Sequence, residues 1–89
     1  MNANWKIVEN KDWDGVLHST RCEYTKPGFV VSIVRGHIYH KNHLVMHCFK
    51  LGIDTRTLTA NTFEDAVTEA ALIVQDAIKA LSIAAKGMT

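Results

Sequence analysis

From Phe63 onward, apolar side chains recur at every third or fourth position: Phe63, Val67, Ala70, Val74, Ala77, Ile78, Leu81 and Ala85. Asp65, Glu69, Asp76, Lys79 and Lys86 fall opposite them. This is the period of an amphipathic helix laid against a core. Thr62, with Asp65 three positions later, resembles a capping box, and Glu64 and Asp65 complement the positive end of the helix dipole. Gly87 supplies a stop, so the pattern predicts one long helix over residues 62–87.

Ahead of that helix the chain is rich in β-branched and aromatic residues cut by turn signals. A short run from Trp5 to Val8 leads into Asn10-Lys11-Asp12 and Asp14-Gly15, which reads as a hairpin. Val16 to Tyr24 follows and ends at Thr25-Lys26-Pro27-Gly28, where proline then glycine suit a type II turn. Phe29 to Val34 is the most β-branched run, and Gly36 before His37-Ile38-Tyr39 suggests that the strand continues through a bulge. With Lys41-Asn42 as a tight turn, His43 to Leu51 is the next strand, and 54–61 is a loop or short edge strand. The predicted fold is therefore α+β: an antiparallel meander of about four strands in residues 1–61, packed against the C-terminal helix. At 89 residues this is a single domain with one core.

Two features exceed what the fold requires. A helix of this length is about 36 Å long, whereas strands of six to nine residues span about 20 to 30 Å, so its last turns should overhang the sheet. On a helical wheel Leu72 and Ile83 lie about 160° to 180° from the buried stripe, where solvent should be. These two, with Ile73 beside Leu72, are the predicted partner interface. The central hairpin, moreover, is apolar on both faces, with Phe29, Val31 and Ile33 on one and Val30 and Val34 on the other. One helix covers one face. The other face is expected to meet the N-terminal hairpin with Trp5 and Trp13, or a second chain in a homodimer.

Composition narrows the function classes. The chain is 47% hydrophobic and 21% charged, with a net charge of +1, which marks neither a disordered chain nor a general polyanion binder. Residues 1–62 carry eight Lys/Arg against five Asp/Glu, whereas 63–89 carry two against four, so the sheet is mildly basic and the helix mildly acidic. Two cysteines, each within an apolar run, suit buried thiols in a reduced cytoplasmic protein better than a disulfide scaffold. The N-terminal residues lack the apolar core of a signal peptide, and no apolar run approaches the roughly 20 residues that cross a bilayer.

Candidate chemistry is sparse. His37, His40, His43 and His47 crowd into eleven positions. A two-residue turn at Lys41-Asn42 would oppose His40 and His43 on one face, leaving His47 about 13 Å away and His37 pointing elsewhere. That makes His40 and His43 weak candidates for a metal, with no further ligand motif beside them. Cys22 or Cys48 near His18 or His47 are core residues on the strand pattern, and Asp12, Asp14, Glu64 and Asp65 serve turns and a helix start, so no catalytic site and no cofactor are expected. Arg35, Lys41, Lys50 and Tyr39 are the best-placed residues for nucleic acid on a basic, aromatic sheet. The Ala70-Ala71 pair resembles the last helix of double-stranded-RNA-binding domains, but Glu64 and Asp65 stand where that family carries basic residues, and no family is assigned.

The expected function is a small non-enzymatic protein-binding module, an adaptor or inhibitor of a macromolecular partner, that self-associates. By analogy alone, accessory proteins of phages and mobile elements share this compact form. A DNA- or RNA-binding sheet is the alternative.

Overall fold

The computed structural model describes residues 4–88. Five antiparallel strands, β1 (Trp5–Lys11), β2 (Leu17–Lys26), β3 (Phe29–Arg35), β4 (Val45–Cys48) and β5 (Ile53–Thr57), pair in simple sequence order as a meander. A 24-residue helix, α1 (Phe63–Lys86), follows and lies across one face. The α+β architecture is the one the sequence pattern predicts, with the 54–61 segment contributing a fifth, edge strand.

Local chemistry explains the turns. Between β2 and β3 only Pro27 and Gly28 intervene, Lys26 pairs with Phe29, and Gly28 has φ +75°, the left-handed geometry that a type II turn demands of its third residue. Between β1 and β2 the Asp12 carboxylate accepts the N–H groups of Asp14 and Val16, each at 2.9 Å, and so holds the loop. Gly36 ends β3 rather than bulging it. At φ +85° any other residue there is strained, and a Cβ would come within 3.1 Å of the His18 carbonyl oxygen. The chain then turns through residues 37–44, with His40 N–H donating to the His37 carbonyl and His43 N–H to that of His40. The expected extension of β3 to Tyr39 and the tight hairpin at Lys41-Asn42 are thus replaced by a loop. The next strand shortens to Val45–Cys48, followed by a single 3-10 turn at Phe49–Leu51.

Register fixes the two faces. Cys22 pairs with Ile7 and Ile33, Tyr24 with Trp5 and Val31, and Met46 with Ile33. These residues alternate onto the helix side, where Cys22, Val31, Ile33, Met46, Cys48 and Leu58 pack against Ala66, Ala70 and Val74. The small alanines let the helix approach the sheet closely. Trp5 belongs to this side, packed on Tyr24, and Trp13 stands exposed at the tip of the β1–β2 loop. The N-terminal hairpin therefore extends the sheet edge and does not fold over the opposite face.

Thr62 caps α1 as predicted, its hydroxyl accepting the Asp65 N–H at 3.2 Å. A second anchor lies one turn on. The Glu69 carboxylate accepts the N–H groups of Thr59 (3.0 Å) and Ala60 (2.9 Å) and the Thr59 hydroxyl (3.0 Å), tying the β5–α1 connection to the helix. Burial pushes this carboxyl up, but those hydrogen bonds and the nearby Arg56 charge outweigh it and hold the group below its ordinary value.

Candidate interaction surface

The sheet is shorter than the helix that crosses it. The 24 residues of α1 span about 36 Å, and its last nine, residues 78–86, amount to about 13 Å of helix with nothing packed over them. The burial profile agrees, since Ala77 is the last shielded residue and every position from 78 to 86 is exposed. The molecule is correspondingly elongated, with extents of 56 × 26 × 22 Å and a radius of gyration of 14.6 Å, against about 12 Å for a compact chain of this length.

What projects is apolar. Ala77 to Ala85 contains two polar residues, Lys79 and Ser82, among nine. Ile78 (48% exposed) and Leu81 (57%) continue the stripe that the sheet buries further back, while Leu72 (57%) and Ile83 (61%) lie on the far side. Ile73, grouped with Leu72 in the expected interface, instead packs against the core, because it sits a further 100° around the helix toward the sheet. Sequence periodicity places Ile78 and Leu81 on the core stripe. They have the right phase for it, and only the end of the sheet exposes them.

Beside the helix runs an apolar groove of about 250 Å³. Trp5, Tyr24 and Phe29 form its sheet wall, with ring centroids 5.6 and 6.4 Å apart, and Ala71, Val74 and Gln75 form its helix wall. The strand alternation that carries Trp5, Tyr24 and Phe29 to one face is readable in the sequence, but their convergence depends on the β1–β2–β3 register.

The opposite face of the sheet carries a ladder of rings. His37 lies 5.2 Å from His40 and 6.0 Å from His47, and His47 stacks on Phe49 at 5.8 Å and 20°. His47 Nδ1–H donates to the Asp54 carbonyl, which orients the ring. An adjoining hollow of about 460 Å³ is bordered by Arg21, Val30, Ser32 and Lys50. The His40 ring packs on that of His37, and among the described residues no group of three or more His, Cys, Asp or Glu is placed to hold a metal ion.

The proposed nucleic-acid contacts fall on separate surfaces. Arg35 faces the helix, donating to the Asn61 carbonyl at 3.2 Å and lying 5.1 Å over the Phe63 ring. It shares a small hollow with Lys41, whereas Lys50 borders the opposite face and the Tyr39 ring neighbours His37. Cys22 and Cys48 are buried, and burial pushes the Cys22 thiol up, away from the reactive thiolate. His18 contacts Asp12 at 3.2 Å, but that carboxylate is already committed to the loop backbone. Among the described residues no helix is long and apolar enough to cross a membrane. Comparison with protein-family models, with curated proteins and with solved structures finds no match.

Proposed function

We propose that the chain is a small non-enzymatic protein-binding module that works in a self-associated form. The observation that carries this reading is the overhanging end of α1, nine exposed residues bearing Ile78, Leu81 and Ile83. A helix that is apolar on most of its circumference is stable in water only when something covers it. The stripe through Leu72 and Ile83, on the outer side of the helix, is the surface left for a further protein partner. Sedimentation velocity of the full chain across the micromolar range tests the reading: a concentration-dependent species of about twice the 10.0 kDa chain mass is expected. A monomer at every concentration contradicts it.

The ring ladder on the opposite face favours a second reading, single-stranded nucleic acid stacked on Phe49 with its phosphates toward Lys50 and Arg21. Arg21 also contacts Glu23 at 3.4 Å, which weakens its hold on phosphate. Anisotropy of a labelled oligonucleotide at low salt decides this reading. Binding lost in Phe49→Ala and Lys50→Ala supports it, and no binding by the unaltered chain removes it.

A further inference from the structure

Resting on the self-association proposed above, we infer that the overhang is covered by the same segment of a second copy, with the two helices antiparallel and each helix end seated in the other copy's Trp5–Tyr24–Phe29 groove. Three observations converge on this arrangement.

The first is phase. Val67, Ala71, Val74, Ile78, Leu81 and Ala85 alternate steps of four and three, the spacing of a continuous helix-pairing seam. The groove wall contains Ala71 and Val74 of this same seam. Ile78, Leu81 and Ala85 carry it past the sheet, so groove and overhang are one uninterrupted surface. A partner helix lying in the groove meets Ala71 and the exposed edge of Val74 there, and the uncovered Ile78, Leu81 and Ala85 beyond the sheet.

The second is self-complementarity. About a two-fold axis beside Ile78, Val74 falls opposite Leu81 of the other copy, Ala71 opposite Ala85, and Ile78 next to its own equivalent. Large meets large and small meets small, and each contact occurs twice, as an isologous interface requires. The aromatic wall then receives Leu81 and its neighbours, which their own sheet leaves exposed. A standard interface takes about 800 Å² from each partner, roughly an eighth of this chain's 6375 Å² surface. Each copy supplies both its overhang and its groove toward that area.

The third is charge. All four acidic residues of α1, Glu64, Asp65, Glu69 and Asp76, lie in its first fourteen positions, and both lysines, Lys79 and Lys86, lie beyond them. Antiparallel pairing brings the basic end of each helix to the level of the acidic part of the other along the axis, and opposes the two helix dipoles. Parallel pairing sets like against like. It also leaves both grooves empty.

Cysteine cross-linking of the full chain tests the geometry, because the native Cys22 and Cys48 are buried and serve as a silent background. Ile78→Cys is expected to form a disulfide-linked dimer by itself under mild oxidation. Ala71→Cys and Ala85→Cys are each expected to stay monomeric on a non-reducing gel, and to cross-link when mixed. Self-linking of Ala71→Cys, or no linkage in the mixture while the chain sediments as a dimer, overturns the antiparallel arrangement alone. A monomer in sedimentation with no linkage anywhere overturns both this arrangement and the self-association beneath it. Leu81→Arg lies outside the core, so its helical circular dichroism should persist while the dimer dissociation constant rises on the order of a hundredfold. An unchanged constant contradicts the seating of Leu81 in the groove.

Discussion

Glu69→Ala removes the anchor between the β5–α1 connection and the helix. The lost carboxylate accepts two backbone N–H groups and one hydroxyl at 2.9–3.0 Å, yet the site is partly exposed, so water re-solvates much of what is released. A capping side chain is worth about 1 kcal/mol and a hydrogen bond to a charged group about 1.5–3 kcal/mol before such screening, which places the loss at about 1–2 kcal/mol. For a domain of this size that corresponds to a melting-temperature drop of about 5–15 °C. Urea unfolding at fixed protein concentration, followed by circular dichroism, reads it as a lower midpoint with an unchanged slope. The same anchor has a pH signature. The folded carboxyl is held below its ordinary value, so its contribution is complete above the ordinary carboxylate range and is lost as pH falls through the folded pKa. The gap between the native chain and Glu69→Gln should therefore narrow on acidification. A Glu69→Ala midpoint shift equivalent to less than about 0.5 kcal/mol, or a Glu69→Gln gap that does not vary with pH, refutes the anchoring argument.

Three further perturbations probe the fold that positions the surface. Gly36→Ala combines a left-handed backbone with a Cβ 3.1 Å from the His18 carbonyl, and should lower stability by about 1–3 kcal/mol in urea titration; a neutral effect would mean that β2 and β3 separate freely there. Ile33→Ala empties a fully buried site at the centre of the sheet and should lower stability by about 2–5 kcal/mol, a large share of the total for a small domain. Thr62→Ala should lower stability by about 1 kcal/mol through loss of the cap on Asp65 N–H, and hydrogen exchange at that amide should rise selectively.

The elements legible in the sequence are those fixed by local chemistry. Thr62 and its capped turn, the Pro27-Gly28 hairpin and the period of α1 each follow from a few neighbouring residues, and each appears where expected. What escaped was set by non-local geometry. Gly36 signals a special backbone conformation, but whether it bulges or ends a strand depends on how closely the β2 backbone at His18 approaches it. The histidines moved with that outcome: the 37–44 segment became a loop, and His37 came to bridge His40 and His47. Glu69 lies among polar residues on the wheel and reads as solvated until β5 brings Thr59 and Ala60 beside it. The overhang followed from lengths alone. Its consequence for Ile78 and Leu81 did not, because a periodic pattern carries no mark of where the sheet beneath it stops.

The central claim is that the apolar end of α1 is covered by another copy, and amide hydrogen exchange of residues 78–86 at low and high protein concentration tests it most directly. Coverage predicts that these amides exchange quickly in dilute solution and become protected as concentration rises, together with Trp5 and Tyr24 in the groove. Rapid exchange of the helix end at every concentration, as for a solvated terminus, would contradict the account.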